Sequence, residues 1–417
     1  MDTTLSRSEP RRLDRWARRL AFSLLSGLKD AHLVVKEGQE VFEFGDQHAS
    51  LQAHIQVHDP RFYRRLMAGG SIGAAEAWVD GSWHSSDLSA VIQLFARNMA
   101  VLDRFERRLA WISYPWHKLK HRFNRNSLTG SRANIAAHYD LGNEMYRLFL
   151  DPLMQYSSAV FPSVESSLEA AQEHKLHLIC QQLDLQPSDH LLEIGTGWGG
   201  LACFAAQHYG CRVTSTTLSA EQLKHAELRV EQAGLSDKVT LLLQDYRDLG
   251  GQYDKLVSVE MIEAVGHEYL PTYFQSLNRL LKPEGKLLIQ AITIADQRYD
   301  LYRKGVDFIQ RYIFPGGCLP SVSEMCRHLK EQTDMTLTRL QDYGQHYAHT
   351  LNIWASRFQQ LEPALKELGY SRDFHRLWAF YFAYCEGAFR EGSIGLVHFE
   401  AVKPGARRCL NGNGLNC

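Results

Sequence analysis

The stretch LLEIGTGWGG at residues 191–200 decides the fold. An apolar run ends in Glu193 and a glycine-rich turn follows, and the next residues, LACFAAQHYG, have the pattern of an amphipathic helix. A strand, a tight turn and a helix in this order bind nucleotide-like cofactors at the carboxyl ends of parallel strands. Gly195 and Gly197 let the backbone approach a ligand that side chains would keep away. The stretch therefore predicts a cofactor site.

The spacing of the turn favours S-adenosylmethionine over a nicotinamide dinucleotide. E-x-G-x-G departs from the dinucleotide pattern G-x-G-x-x-G, which is followed by a ribose-binding acid about 20 residues later. The next apolar segment, CRVTSTTLS at 211–219, contains hydroxyl side chains and no acid. A nicotinamide cofactor would lack its usual ribose anchor here.

Apolar strands alternate with helical patterns from about residue 165 onward. This alternation predicts an α/β fold, a doubly wound Rossmann-like sheet with a helical lid around 295–355. The predicted strands are 190–194, 211–215, 239–243, 255–259 and 286–292. A smaller mixed domain precedes the sheet, so we expect an accessory domain at 1–125, a catalytic domain at 126–405 and a flexible tail at 406–417.

Composition limits the partners and the compartment. The chain has 417 residues, 45% of them hydrophobic, and a formal net charge of -1, which gives no global field for nucleic acid. Its eight cysteines form no C-x-x-C pair, and no secretory signal pattern opens the chain, so we expect reduced thiols in the cytoplasm. No apolar run is long enough to span a bilayer, and we expect contact with the inner face of the membrane to be peripheral.

Two basic segments are candidates for that contact. Between Arg97 and Arg132 there are nine Lys or Arg against two acids, with Trp111, Tyr114, Trp116 and Phe123 among the interleaved aromatic residues. The segment from Arg7 to Leu20 is also basic and amphipathic. Either can lie on an anionic lipid surface. The alternative, a solvated helix face and an interdomain linker, stays open.

Five ordered motifs place the chain beside a known family. They are HYDLGNEMYRLFLDPLMQYSSAVF at 138–161, LLEIGTGWGG, DYRDL, VEMIEAVGHEYL and RYIFPGGCLPS. With them the chain resembles the cyclopropane fatty-acyl-phospholipid synthases and the related mycolic-acid methyltransferases, from about residue 50 onward. The resemblance implies methyl transfer from S-adenosylmethionine to the cis double bond of an acyl chain on a membrane phospholipid. It also implies a homodimer formed through the accessory domain.

The reaction that the resemblance implies needs a dry, apolar site and a base. An alkene that accepts a methyl group becomes a carbocation, and a proton must leave the new methyl group as the ring closes. In the family a bound bicarbonate ion is the base. Carried over to this chain, the groups implied to hold it are the carboxylate of Glu263, the hydroxyl of Tyr347 and the backbone amides of Ser158 and Ile294.

Three positions depart from the family pattern. Ser158 stands where many members have cysteine, Ala264 where many have histidine, and Ile292 at the place given to an anion-binding histidine. Without ring closure the cation would give methyl- or methylene-branched chains instead. A lipid-binding protein without turnover and a soluble small-molecule methyltransferase are further alternatives.

The cofactor contacts are assigned by motif position. The resemblance puts Glu193, Gly195 and Gly197 at the amino-acid end of S-adenosylmethionine, with Tyr156 and Ser157 as a cap. The ribose and adenine contacts that it implies are Thr217, Gln222, Asp245 and Tyr246. For the polar residues the alternative is an ordinary capping or solvated side chain. No metal site is predicted.

Cys385 lies in AYCEGAFREG, whose family counterpart has been proposed as a nucleophile. The chemistry above has no need of a thiolate, and aromatic residues recur around Cys385 at helical spacing. An apolar thiol among aromatic side chains is usually inert. Catalysis, lining of an acyl channel and simple packing all stay open for this residue.

Overall fold

The structure is a computed structural model that describes residues 11–99, 101 and 142–406. Most of the basic segment from Arg97 to Arg132 and residues 407–417 of the predicted tail therefore lie outside the described residues. Within the described residues no helix is both long enough and apolar enough to cross a membrane.

The helices and strands of the described residues, in chain order, are α1 (Arg12–Leu25), β1 (His32–Glu37), β2 (Glu40–Gly45), β3 (Gln52–Val57), α2 (Arg61–Val79), β4 (Trp83–His84), α3 (Leu88–Arg97), α4 (Asn143–Arg147), α5 (Leu168–Gln182), β5 (His190–Ile194), α6 (Gly200–His208), β6 (Arg212–Thr217), α7 (Ala220–Gln232), β7 (Val239–Leu243), β8 (Tyr253–Val259), α8 (Leu270–Leu280), β9 (Leu281–Ile294), α9 (Asp296–Tyr302), α10 (Phe308–Tyr312), α11 (Val322–Gln332), β10 (Thr336–Asp342), α12 (Gly344–Gln359), α13 (Glu362–Glu367), α14 (Arg372–Arg390) and β11 (Ile394–Val402).

These elements form two compact units. The first unit contains the described residues up to Val101 together with Gly305–Ile313 and Leu351–Ser393, and the second contains the other described residues. The first unit thus includes two later segments of the chain, and its helix α14 packs with α2 and α3. The indole of Trp78 donates to the carbonyl of Arg376 at 3.0 Å, and Arg97 pairs with Glu391 at 2.7 Å.

The first unit is built on a small mixed sheet of order β2-β1-β3-β4. Strand β1 is antiparallel to β2 and parallel to β3, and β4 closes the other edge. In β3 every second residue is buried, namely Ala53, Ile55 and Val57. This alternation follows from the two-residue period of a strand.

The second unit is a seven-stranded sheet of order β10-β11-β9-β8-β5-β6-β7. Strands β7, β6, β5, β8 and β9 pair in parallel, whereas β11 is antiparallel to both β9 and β10. The chain leaves β5 toward β6 on one side and returns with β8 on the other. The carboxyl end of β5 is therefore the point of the sheet where a ligand crevice opens.

The five predicted strands are confirmed as β5 to β9, with β9 longer than predicted. The segment predicted as a helical lid contains α9, α10 and α11, but it also contains β10, an edge strand of the sheet. Strand β10 was missed because its residues, TLTRLQD, are almost all exposed and show no apolar run.

Candidate active site

The glycine turn lies at the carboxyl end of β5, as predicted. Gly195 and Gly197 have φ values of +101° and +53°, which favour glycine. Both are partly accessible, although Ile194, Thr196 and Trp198 around them are buried. The amides of Gly195 and Thr196 are anchored on the carbonyl of Thr216 at 3.0 and 3.1 Å. The turn thus presents backbone, not side chains, to the crevice.

Glu193 is a buried carboxylate directly before this turn. Ser215 on the neighbouring strand β6 donates a 2.5 Å hydrogen bond to its Oε2. Burial raises the pKa of Glu193 to about 8, opposed by the Ser215 hydrogen bond and the nearby charge of Lys175. A cationic ligand would stabilise the ionised form of such a carboxylate and so lower its pKa.

Thr217 and Gln222, the predicted ribose contacts, lie side by side at the end of β6 and in the first turn of α7. Both are buried, and the hydroxyl of Thr217 donates to Oε1 of Gln222 at 3.0 Å. The hydroxyl also accepts from the amide of Ser219 at 3.1 Å. The pair is fixed in position before any ligand binds.

The predicted adenine contacts follow β7, and their partners differ from the expectation. Arg247 donates from Nε to Oδ1 and from Nη2 to Oδ2 of Asp245, at 2.8 and 2.7 Å, and its amide donates to Oδ1 at 3.0 Å. The ring of Tyr246 packs edge-on to Tyr273 at 5.5 Å and belongs to the core.

The segment with Tyr156 and Ser157 lies against the glycine turn. The ring of Tyr156 stands 5.1 Å from that of Tyr146, which in turn lies 5.0 Å from Trp198 of the turn. The ring of Tyr156 also meets Phe314 at 6.4 Å. This aromatic cluster puts the predicted cap beside the cofactor turn.

Lys175 on α5 is fully buried and was not identified from the sequence. Its Nζ donates to the hydroxyl of Ser157 at 2.8 Å and to Oε1 of Gln155 at 3.0 Å. Burial lowers its pKa to about 8, opposed by the charges of Glu260, Asp151 and Glu193. Lys175 is the cation that partly balances these buried acids.

Together these residues fit S-adenosylmethionine. The accessible glycine backbone suits the close approach of the cofactor, the buried carboxylate of Glu193 suits its ammonium group, and the Thr217–Gln222 pair suits its hydroxyl groups. When bound, the cofactor supplies a methyl group on a positively charged sulfur.

The carboxylate of Glu260, directly after β8, accepts three hydrogen bonds, and Glu260 is not among the residues predicted from the sequence. The amide of Ser158 donates to its Oε1 at 2.9 Å, and Nε2 of Gln290 donates to the same oxygen at 2.8 Å. The hydroxyl of Tyr347 donates to Oε2 at 2.7 Å. Burial raises the pKa of Glu260, and these three donors and the charge of Lys175 oppose that rise.

Gln290 is held in turn by the buried ring of His398. Nε2 of His398 lies 2.9 Å from Oε1 of Gln290, and Nδ1 lies 2.7 Å from Oε1 of Gln182. Burial lowers the pKa of His398 to about 3, so the ring is neutral. Because Gln290 uses its amide nitrogen on Glu260, its oxygen accepts from Nε2 of the histidine. A polar residue inside the apolar strand LLIQAITI was the available sequence signal for Gln290.

Glu263, predicted as the acid of the site, lies one short turn after Glu260. Its Oε1 accepts from the amide of Ile292 at 2.5 Å, while Oε2 is buried and has no hydrogen-bond partner within the described residues. Burial and then the charge of Glu260 raise the pKa of Glu263 to about 8. Since the charge of Glu260 disfavours ionisation of Glu263, the pair ionises at Glu260 first and Glu263 holds the proton.

One predicted anion contact is wrong in position. The amide of Ile294 donates to the carbonyl of Pro320 at 3.0 Å, so it is not turned toward Glu263. The amide that meets Glu263 belongs to Ile292, two residues earlier on β9. Ile292 therefore meets Glu263 through its backbone amide.

The groups predicted to hold bicarbonate do not fit that ion in this structure. The amide of Ser158 and the hydroxyl of Tyr347 are brought together, but both donate to Glu260. A second anion at this place would be repelled by the carboxylate of Glu260.

Cys385 lies on α14 in the first unit. Phe308 is also in this unit, and its ring packs at 4.8 Å against Phe380 and at 5.6 Å against Tyr384, the residue before the cysteine. Burial and then the charge of Asp307 raise the pKa of the Cys385 thiol. A thiol with a raised pKa is a poor nucleophile at neutral pH.

The sheet order, the glycine turn after the first parallel strand and the buried acid before it define a class I S-adenosylmethionine-dependent methyltransferase. Within that class the chain belongs to the mycolic acid cyclopropane synthetase family, whose model matches residues 126–399.

The sequence similarity to known proteins covers more of the chain than the family model does. The cyclopropane-fatty-acyl-phospholipid synthase of Escherichia coli (strain K12) is 39% identical over 366 residues, which are 86% of this chain and 91% of that protein. The tuberculostearic acid methyltransferase UfaA1 of Mycobacterium tuberculosis is 38% identical over 357 residues, 84% of this chain and 83% of its own. The crystal structure of mycolic acid cyclopropane synthase CmaA1 complexed with SAH and CTAB has a TM-score of 0.61 and 32% identity, and it covers 65% of this chain and 98% of that one.

Proposed function

We propose that this enzyme transfers a methylene group from S-adenosylmethionine to the cis double bond of unsaturated acyl chains in membrane phospholipids, forming cyclopropane fatty acids. The observation that carries the proposal is the pair of half-buried acids, Glu260 and Glu263, beside the glycine turn. The similarity to the Escherichia coli synthase supports the same reaction and the same class of substrate.

The residues around the two carboxyl groups suit a cationic, water-sensitive reaction. Met261, Ile292 and Phe314 are half-buried apolar side chains, so they line accessible space without filling it. The carboxylate of Glu260 stabilises positive charge on an acyl chain in that space, because few water molecules screen it there. Protonated Glu263 adds no second negative charge.

A branched product is the second candidate. The similarity to a protein named tuberculostearic acid methyltransferase favours an acyl chain that keeps a methyl or methylene branch. Both products begin with the same methyl transfer and differ in the fate of the cation. A homologue that binds lipid without turnover is the third candidate.

Docking on an anionic membrane surface is part of the proposal, and helix α1 supports it. Arg12, Arg15 and Arg19 are exposed, and Trp16 is 55% exposed on the same face. Leu13 beside them is 62% exposed. A helix with cations and an exposed tryptophan on one face binds the interface of anionic membranes. A cytoplasmic location at the inner membrane face and assembly as a homodimer stay predictions.

One experiment tests the three candidates. The protein is incubated with S-adenosylmethionine and vesicles of cis-unsaturated phospholipid, and the fatty acids are analysed by mass before and after mild hydrogenation. A gain of one methylene unit that resists hydrogenation supports the cyclopropane, and a gain followed by uptake of hydrogen supports an exomethylene product. Unchanged lipid with intact binding of S-adenosylhomocysteine would leave only the binding function.

A further inference from the structure

The carboxylate of Glu260 lies where a separate anion was expected. Two of the groups that the family resemblance assigns to bicarbonate, the amide of Ser158 and the hydroxyl of Tyr347, donate to this side chain. Gln290, oriented by His398, supplies a third donor. The protein thus fills its own anion site.

We propose that the Glu260 carboxylate replaces bicarbonate as the base of the reaction, and that the enzyme turns over without added bicarbonate. The inference rests on the proposed acyl-chain function and identifies its proton acceptor.

The hydrogen bonds leave one position on Glu260 for a proton. Oε1 accepts two bonds, from Ser158 and Gln290, and so has no lone pair to spare. Among the described residues, Oε2 accepts one bond, from Tyr347, which leaves it a second lone pair. Because the three donors are neutral, they hold the carboxylate in place without neutralising its charge.

The backbone at Glu260 indicates that this placement is specific. Its φ is +47°, a left-handed conformation that residues with a Cβ atom rarely adopt. Its amide is fixed on the carbonyl of Gln290 at 2.8 Å. Strained residues of this kind persist where the surrounding contacts determine them, and they cluster at active sites.

The same turn brings Glu260 to the cofactor crevice. Met261, the next residue, packs against Gly195, where a Cβ atom would lie 3.5 Å from its Cγ. The base and the glycine turn therefore meet at the carboxyl ends of the neighbouring strands β8 and β5.

Glu260 alone can accept the proton that the reaction releases. The π electron pair of the alkene forms a carbon–carbon bond to the methyl group while the sulfur–carbon bond breaks, and the pair of that bond stays on the sulfur. The adjacent carbon of the acyl chain becomes a cation. Oε2 of Glu260 accepts a proton from the new methyl group, and the electrons of that C–H bond close the ring. If a hydride first shifts to the cation, the same deprotonation gives an exomethylene group.

The test compares turnover in buffer purged of carbon dioxide with turnover at saturating bicarbonate. We expect the parent protein to be equally active in both. Glu260→Gln keeps the shape of the side chain but lacks the base, and we expect it to lose at least about 100-fold in both buffers, the usual size of a base contribution. Glu284→Gln, an exposed acid on the second unit, is the matched control and should equal the parent.

A second variant tests whether added bicarbonate can replace the carboxylate of Glu260. Glu260→Gly relieves the left-handed backbone and exposes the donors of Ser158, Gln290 and Tyr347. We expect it to be inactive in purged buffer and to regain activity when bicarbonate is added.

Three outcomes are decisive. A parent that requires bicarbonate, or a Glu260→Gln variant that keeps full activity, would overturn the inference and leave the proposed function intact. A parent that modifies no lipid in either buffer would instead reject the proposed function. If Glu260→Gly fails to fold, the parent and Glu260→Gln still decide the question.

Discussion

The hydroxyl of Tyr347 donates a 2.7 Å hydrogen bond to Oε2 of Glu260, which ties the start of helix α12 to the carboxyl end of strand β8. Tyr347 is buried, and its hydroxyl opposes the rise in the pKa of Glu260 that burial causes. The bond therefore sets both the position of the carboxylate and the pH at which it ionises.

Removing this hydroxyl should shift the pH dependence of the reaction. In Tyr347→Phe the carboxylate of Glu260 loses a donor to its charged form, so its pKa rises further. We expect the acidic limb of the kcat/KM profile to move to higher pH, with activity at pH 7 reduced about tenfold. Tyr253→Phe, which loses the hydroxyl of another buried tyrosine of this unit, is the control. A uniform loss at every pH would contradict this role of Tyr347.

Glu193 should govern cofactor affinity. We expect Glu193→Gln to bind S-adenosylhomocysteine about tenfold more weakly by calorimetry, because a cationic ammonium loses its carboxylate. Since the pKa of Glu193 is raised to about 8, the parent should bind more tightly as the pH rises from 6 to 8. Glu193→Gln should lose that part of the pH dependence.

The exposed acid Glu221 on α7 offers the matched control. Glu221→Gln should keep the affinity and the pH dependence of the parent. Equal affinities of the parent and Glu193→Gln at pH 8 would reject the role of Glu193.

The sequence predicted the sheet better than it predicted the base. Apolar strands and a glycine turn are local signals, and β5 to β9 followed from them. Glu260 and Glu263 both follow the apolar strand β8. The neighbouring sequence does not indicate which of the two accepts hydrogen bonds from distant residues. Those donors come from Ser158, Gln290 and Tyr347, which are far apart in the chain.

The amide of Ile294 shows a second limit of prediction from the sequence. Ile292 and Ile294 lie on the same face of β9, because strand side chains alternate with a period of two. A motif alignment shifted by two residues therefore keeps the same apolar pattern. Only the hydrogen bonds, from Ile292 to Glu263 and from Ile294 to Pro320, distinguish them. Buried Lys175 left no sequence signal, since lysine is common on exposed helix faces.

Gly200 should tolerate no side chain. A Cβ atom there would lie 2.3 Å from Nε2 of Gln155 and 2.6 Å from the carbonyl oxygen of Leu153. We expect Gly200→Ala to displace the segment that carries Tyr156, to destabilise the protein by about 1–3 kcal/mol and to weaken binding of S-adenosylhomocysteine. The checks are urea unfolding and calorimetry.

Gly250→Ala is the control, because a Cβ atom there meets nothing within 4 Å. It should keep the stability and affinity of the parent. Parental values for Gly200→Ala would mean that the 153–157 segment adapts without loss.

Helix α1 should supply salt-dependent membrane binding. We expect the triple change of Arg12, Arg15 and Arg19 to Gln to reduce binding to anionic vesicles about 100-fold at low salt, since each cation contributes about 1 kcal/mol. Binding of the parent should weaken with added salt. Sedimentation with vesicles measures both.

A triple change of exposed cations elsewhere, at Arg212, Lys224 and Lys330, removes the same charge and is the control. Equal losses in the two triple variants would show that net charge, not the face of α1, determines binding.

Glu263 should lower stability as the pH rises. Its pKa is about 8 in the folded protein against an ordinary value of 4.5. Between these values the folded state holds a proton that the unfolded state releases, so the free energy of unfolding falls by about 1.4 kcal/mol per pH unit from this group. The contribution is fully present below pH 4.5 and is lost as the pH rises through 8.

Glu193 and Glu260 act with the same sign, so a variant of Glu263 alone isolates its share. Glu263→Gln cannot ionise, and we therefore expect its stability relative to the parent to increase steadily from pH 5 to pH 8 in urea unfolding. Glu284→Gln should run parallel to the parent, and a Glu263→Gln curve that also stays parallel would mean that Glu263 is already ionised at pH 5.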